Sequence, residues 1–162
     1  MLLRSKNRFE RITFGDPLLT TQQDHVEIVN AICQEFSNLP ADCALILMGH
    51  GTSHYANDVY AALDYRFKDL GFSNIHLATV EGYPTLENVT RMVKEQEAKK
   101  VILAPFMIVA GDHARNDMSG DDEDSWKNQF RAAGYDVECR MKGLGEYPAI
   151  QDMLIRHVTE VC

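Results

Sequence analysis

Three stretches of this chain set a metal-ligating side chain next to glycine: Gly49-His50-Gly51, Glu81-Gly82 and Gly111-Asp112-His113. Each follows an apolar run that reads as a β-strand, Cys43–Met48, Asn74–Val80 and Lys100–Ile108 in turn. The three groups recur at about 30 residues, the length of one strand–helix unit. Open α/β sheets gather their ligands outside the carboxyl ends of the strands. Parallel neighbouring strands would therefore bring two imidazoles and one carboxylate to one edge, and the glycines let the backbone approach closely. A His₂Glu set suits a divalent transition metal such as zinc, cobalt, nickel or iron, the carboxylate offsets part of the charge, and three protein ligands leave a coordination position open. Each residue also has a plainer reading. A lone histidine after a strand is commonly a hydrogen-bonded loop residue, and Glu81 would serve a following helix as an acid at its positive end.

Other polar groups fit this edge less well. His54 lies four residues after His50, but Gly51-Thr52-Ser53 between them reads as a turn, so the two should not share a helix face; His54 is read as a residue behind the site or in contact with a substrate. His25, His76 and His157 are read as solvated. The run Asp121-Asp122-Glu123-Asp124 lacks the alternating ligands and central glycine of a calcium loop, and as an acidic helix start it complements the helix dipole. Trp126, Met48, Met107 and Met118 are read as core. Nowhere does the chain contain a P-loop, a Gly-x-Gly-x-x-Gly or a Gly-x-Ser-x-Gly, which disfavours nucleotide-dependent chemistry.

The elements that must position these groups alternate. Phe9–Phe14 reads as a first strand, and Asp24–Phe36 as a helix with Val26, Val29, Ile32, Cys33 and Phe36 at helical spacing. Tyr55–Leu70 is helical and stops at Gly71. Thr85 caps a helix running to about Lys99. A long loop, Ala110 to about Asp121, precedes a helix over Glu123–Ala133, a strand over Asp136–Met141 and a last helix over Ala149–Val161, with Pro148 in its first turn. Strands alternating with helices of this length imply a single α/β domain over 1–162, with a parallel sheet of about four to five strands and helices on both faces.

Composition narrows the partners. The 162 residues are 45% hydrophobic and 25% charged, with a formal net charge of −8. That balance argues against nucleic acid and against a polybasic membrane anchor. The four cysteines, Cys33, Cys43, Cys139 and Cys162, form no Cys-x-x-Cys pair and are read as reduced thiols. With no apolar run for a signal peptide or membrane span, the expected location is the cytoplasm.

The motifs also carry a family likeness. Met48-Gly-His-Gly-Thr-Ser-His54, Val80-Glu-Gly-Tyr-Pro84 and Val109-Ala-Gly-Asp-His-Ala-Arg-Asn-Asp-Met118 resemble the CbiK-type sirohydrochlorin cobaltochelatases of anaerobic cobalamin biosynthesis. The resemblance extends through Asp121-Asp-Glu-Asp-Ser-Trp-Lys127, Gly143-Leu-Gly-Glu-Tyr-Pro-Ala149 and back to Ile12-Thr-Phe-Gly-Asp-Pro-Leu-Leu19. It implies a chelatase-like fold and a lyase that inserts divalent cobalt into sirohydrochlorin without consuming a nucleotide. It matches His50, Glu81 and His113 to the family's metal-binding residues. Either histidine would also be the base for a pyrrole proton, and Arg115 is the cation placed to meet a substrate carboxylate. Nickel, iron or zinc would suit the same ligands. Family members are about twice as long, built from two similar α/β halves, and this chain resembles the second half. The expected partners are therefore a sirohydrochlorin-type tetrapyrrole and either a second copy of the chain, as a homodimer, or a missing N-terminal half. Two other functions compete: a non-catalytic metal- or tetrapyrrole-binding half-domain, and a metal-dependent hydrolase.

Overall fold

The computed structural model describes residues 10–161. Four parallel strands, β1 (Cys43–Gly49), β2 (Ile75–Thr79), β3 (Lys100–Pro105) and β4 (Asp136–Cys139), form one sheet in the order β2-β1-β3-β4. β1 is buried along its whole length, which explains why its sequence is apolar without alternation. Its residues feed two cores in turn. Cys43, Leu45 and Leu47 point to a layer made by helices α1 (Gln22–Glu35), α2 (Asp58–Asp69) and α5 (Pro148–Thr159). Ala44, Ile46 and Met48 point to the opposite layer, made by α3 (Leu86–Glu95) and α4 (Trp126–Ala132). The chain leaves β1 towards β2 on one side, then passes back over β1 to β3 and β4. Crossovers of one hand that run in opposite directions place their helices on opposite faces, as α2 and α3 are placed here. The strand order reverses between β1 and β3, and this is where an open sheet forms its ligand crevice.

Local chemistry sets the helix ends. At α1, the Thr21 hydroxyl accepts from the Asp24 N–H and the Asp24 carboxylate accepts from the Thr21 N–H, a reciprocal capping box. Thr85 and Asn88 repeat the arrangement at α3. α4 begins at Trp126 under the Ser125 hydroxyl, later than the acidic run suggested. Residues 121–124 are instead an exposed turn, clamped by the Asn128 amide, which donates to the Asp121 and Asp122 carbonyls at 2.9 Å.

Several expectations are corrected. Residues 10–14 form no strand, and Phe9 lies outside the described residues. The chain meets the end of α5 only beyond this exposed segment, at Gly15, where a Cβ would stand 2.6 Å from the His157 carbonyl oxygen. β3 ends at Pro105: after Phe106 donates to the Met48 carbonyl at 2.6 Å, the chain leaves the sheet. The long loop after it contains a helical turn, Ala114–Met118, widened so that Ser119 N–H donates to the Ala114 carbonyl five residues back. Ala114 and Met118 bury themselves in the second core and hold that turn down.

The three histidines read as solvated are buried. His25 donates Nε2–H to the Leu19 carbonyl, and His157 lies between Asp24 and the Asp16 carbonyl. His76, on edge strand β2, contacts Lys68 and Gln96. A periodicity count treats imidazole as polar, but a ring with both nitrogens engaged, as in His76 and His157, is buried at little cost; His25 is buried with Nε2 alone engaged, its Nδ1 having no partner among the described residues. The groups around His76 close the edge of the sheet. Lys68 Nζ donates to the Ile75 carbonyl, Leu77 N–H donates to Asp64 at 2.8 Å, and Thr79 N–H donates to the Pro84 carbonyl at 2.7 Å. Burial pushes both Lys68 and His76 towards their neutral forms, although Asp64 opposes the shift at each. These bonds occupy the outward N–H groups of Leu77 and Thr79 and the Ile75 carbonyl, which blunts β2 as an edge for another strand. No helix among the described residues is long and apolar enough to cross a membrane.

Candidate metal centre

His50, Glu81 and His113 lie together at the carboxyl edge of the sheet, at the β1–β3 reversal. Their ligand atoms all fall within 4.8 Å of one another. The β1–β2 ladder sets the first pair. Val80 N–H donates to the Gly49 carbonyl at 3.0 Å and Glu81 N–H to the His50 carbonyl at 2.8 Å, so the two ligand residues are hydrogen-bonded neighbours one step past the strands. Gly51 then turns the chain away with φ +82°, and a Cβ there would sit 2.6 Å from the Gly82 nitrogen. Glycine is required at this position for both reasons. The Glu81 carboxylate approaches His50 Nδ1 to 3.9 Å.

His113 arrives from the other side of the reversal, on the turn after β3. Its ring meets that of His50 edge to face, with centroids 4.6 Å apart and planes at 83°. Each imidazole is oriented through Nδ1. His50 Nδ1 lies 2.9 Å from the Gly51 carbonyl oxygen, and His113 Nδ1 lies 2.5 Å from the Asp117 carboxylate. Both partners are acceptors, so Nδ1 carries the hydrogen in each ring and the Nε2 lone pair is left for another electrophile. Such outer partners fix the tautomer and raise the basicity of a ligating histidine. Ligands about 2.0–2.2 Å from a tetrahedral metal stand roughly 3.4 Å apart. The triad is slightly wider than that, and the half-exposed His50 and Glu81 side chains have room to close on an ion.

The surroundings are open and apolar. Tyr55, Tyr83, Ile108 and Val109 are exposed on the loops that carry or flank the triad. A groove of about 850 Å³, lined by Leu18, Leu19, Tyr55, Val59, Phe106 and Ile108 among others, adjoins it and shares Thr52 with the His50 loop. Ligand sites of this kind are mostly apolar with a few convergent polar groups. His54 is exposed, stacks on Tyr55 and accepts from Ala56 N–H as a local cap. Arg115 is exposed on the helical turn two residues beyond His113.

Two supporting residues were not singled out from the sequence. Asp117 became recognisable only once residues 114–118 proved helical, which brings it one turn below His113. Asn57 looks like an ordinary helix-start asparagine, but its buried side chain reaches two separate loops, and no local pattern announces that.

The described architecture agrees with the comparisons to known proteins. A family model described as cobalt chelatase (CbiK) matches residues 2–162. A sirohydrochlorin cobaltochelatase of Salmonella typhimurium is 40% identical over 150 residues, covering 93% of this chain and 56% of that protein. The sirohydrochlorin cobaltochelatase CbiKC of Nitratidesulfovibrio vulgaris is 32% identical over 161 residues, covering 97% of this chain and 56% of that protein. The chain thus spans a little over half the length of these relatives. Among solved structures, a CbiX protein assigned to cobalamin biosynthesis from Marinobacter aquaeolei matches with a TM-score of 0.53 at 21% identity, over 75% of this chain and 93% of that one. A multi-domain protein from Deinococcus radiodurans with structural similarity to chelatases matches with a TM-score of 0.55 at 18% identity, over 83% of this chain and 29% of that one. These two establish a chelatase-like α/β fold. With the family model spanning almost every residue, this chain belongs to the cobalt chelatase (CbiK) family.

Proposed function

We propose that this chain binds divalent cobalt through His50, Glu81 and His113 and, as part of a sirohydrochlorin cobaltochelatase, delivers it to the tetrapyrrole. The observation that carries the proposal is the convergence of one carboxylate and two imidazoles, each imidazole held through Nδ1, beside an apolar groove. In this reading cobalt is a substrate, and nickel, iron and zinc are competitors that the same ligand types accept. Insertion of a divalent ion releases two pyrrole protons. The Nε2 of His50 or His113 accepts each in turn when its bond to the metal is given up, and the solvent-open edge carries both protons away. The groove takes the macrocycle face, and Arg115 meets one of its carboxylates. No nucleotide takes part.

The relatives' greater length supports a second partner over the open face of the site: either another copy of this chain, as a homodimer, or the remaining half of a full-length chelatase. A cobalt titration by calorimetry, followed by absorbance of sirohydrochlorin mixed with the loaded protein, tests the function. One cobalt per chain and formation of the cobalt-containing product are expected. Absence of cobalt binding overturns the proposal. Binding without insertion supports the half-domain reading, in which the chain holds metal and needs the other half for turnover. Sedimentation equilibrium at micromolar concentration separates the two partners, since a species of a single chain's mass rules out the homodimer.

A further inference from the structure

We infer that Asn57 is a positioning residue that clamps the His50 loop to the Glu81 loop and so sets the spacing of the metal ligands; the functional consequence rests on the cobalt-binding reading above. Asn57 closes the turn that leads into α2, and its side chain is buried. Its Oδ1 accepts from Thr52 N–H at 3.0 Å, two residues past His50. Its Nδ2 donates to the Tyr83 carbonyl at 2.6 Å, two residues past Glu81. The amide plane lies directly against Gly82, which leaves no room for a Cβ there. One side chain therefore uses its acceptor on one ligand loop and its donor on the other. Only a primary amide of this length does both: a carboxylate cannot donate to the Tyr83 carbonyl, and the longer glutamine would be driven into Gly82.

The next turn of α2 reinforces the clamp. Tyr60 packs under Gly49, and its hydroxyl accepts from Gly51 N–H at 3.4 Å. Past the strands, the two loops are held to each other by the Glu81–His50 backbone bond and by Asn57. The clamp lies outside the ligand set: Asn57 touches neither His50 nor Glu81 side chains in these bonds, and it acts by fixing the backbones from which both project.

The test pairs a metal-free readout with a metal readout on the full chain. Amide hydrogen exchange without metal is expected to show loss of protection at Thr52 and Glu81 in Asn57→Ala, and at Glu81 in Asn57→Asp, whose carboxylate still accepts from Thr52 N–H, with β1 and β3 unchanged. Cobalt affinity in both variants is expected to fall by about 10–100-fold, the effect typical of losing an outer partner, with an altered cobalt absorption spectrum. Leu63→Val, a core change in α2, serves as the control: it lowers thermal stability but should leave the cobalt spectrum in place. Unchanged exchange at Thr52 and Glu81 in folded Asn57 variants overturns the clamp. Lost protection with unchanged cobalt affinity and spectrum overturns its role in ligand spacing. If the wild-type chain binds no cobalt, the metal reading fails while hydrogen exchange still decides whether Asn57 joins the loops.

Discussion

Replacing His113 by alanine is expected to lower cobalt affinity by more than about 100-fold, beyond the roughly 10–100-fold that follows loss of an outer partner alone. The variant removes one of three ligands and leaves His50 and Glu81, neighbours on the β1–β2 ladder, without the group that reaches them from β3. It also removes the ring against which His50 packs edge to face. Folding should change little. His113 sits on a half-open turn, the Asp117 carboxylate it leaves behind is substantially exposed, and buried Ala114 and Met118 still anchor the turn. A stability change of about 0.5 kcal/mol, ordinary for a surface site, is expected. Calorimetry on the variant decides the matter, since unchanged cobalt affinity removes His113 from the ligand set.

The largest loss of stability is expected far from the metal centre, at Asp24. This carboxylate is 1% exposed and joins three parts of the chain. It closes the α1 capping box with Thr21, pairs with His157 of α5 at 2.9 Å and with Arg156 at 3.2 Å, and His157 in turn holds the Asp16 carbonyl. Burial opposes the charge on Asp24, but the Thr21 N–H and the His157 ring outweigh it and hold the carboxyl below the usual range. The bond to Asp24 is the main cause that raises His157, against the opposing effect of burial. Asp24→Ala should destabilise the protein by about 3 kcal/mol, the lower end for breaking a buried pair because Arg156 is partly solvated. Its melting temperature should fall by about 10 °C. Asp24→Asn, which keeps an acceptor for Thr21 N–H, should lose less.

The pH dependence follows from the two directions. The raised His157 contributes fully below its ordinary value of about 6.5, and that contribution is lost as pH rises through its higher folded value. The lowered Asp24 contributes above its ordinary value of about 3.9, and that contribution is lost as pH falls through its lower folded value. The difference between wild type and Asp24→Ala should be widest between these ordinary values and narrow on both sides. Melting curves across that range check it, and a constant difference would show that the pair does not titrate as a unit.

The parallel α/β architecture was legible in the sequence because strand and helix leave different periods. β1 is an unbroken apolar run between two turn signals, and its burial on both faces is the reason. α2 and α4 stop at glycines of positive φ, Gly71 and Gly134, and α1, α3, α4 and α5 begin at threonine, serine or proline, because unpaired backbone groups need those partners. Reading failed where tertiary contacts overrode local pattern. Residues 10–14 alternate like a strand yet stay exposed outside the sheet, and His76 and His157 are buried because groups distant in sequence satisfy both ring nitrogens.

The amino-acid sequence by itself determined which residues follow the carboxyl ends of three strands: His50 just after β1, Glu81 two residues after β2, and His113 on the turn that comes after β3. Chain order and strand length are local properties, and a parallel sheet sends every strand end to the same edge. Tertiary structure decided the rest of the centre. The strand order β2-β1-β3-β4 puts β1 between the other two, so that His50 neighbours Glu81 through the ladder and meets His113 across the reversal. The turn of Ala114–Met118 brings Asp117 under His113, and α2 carries Asn57 between the two ligand loops. A hydrogen bond forms between groups that the fold brings within about 3 Å, and for Asn57 and Tyr83, 26 residues apart, that proximity exists only once α2 has packed on the sheet.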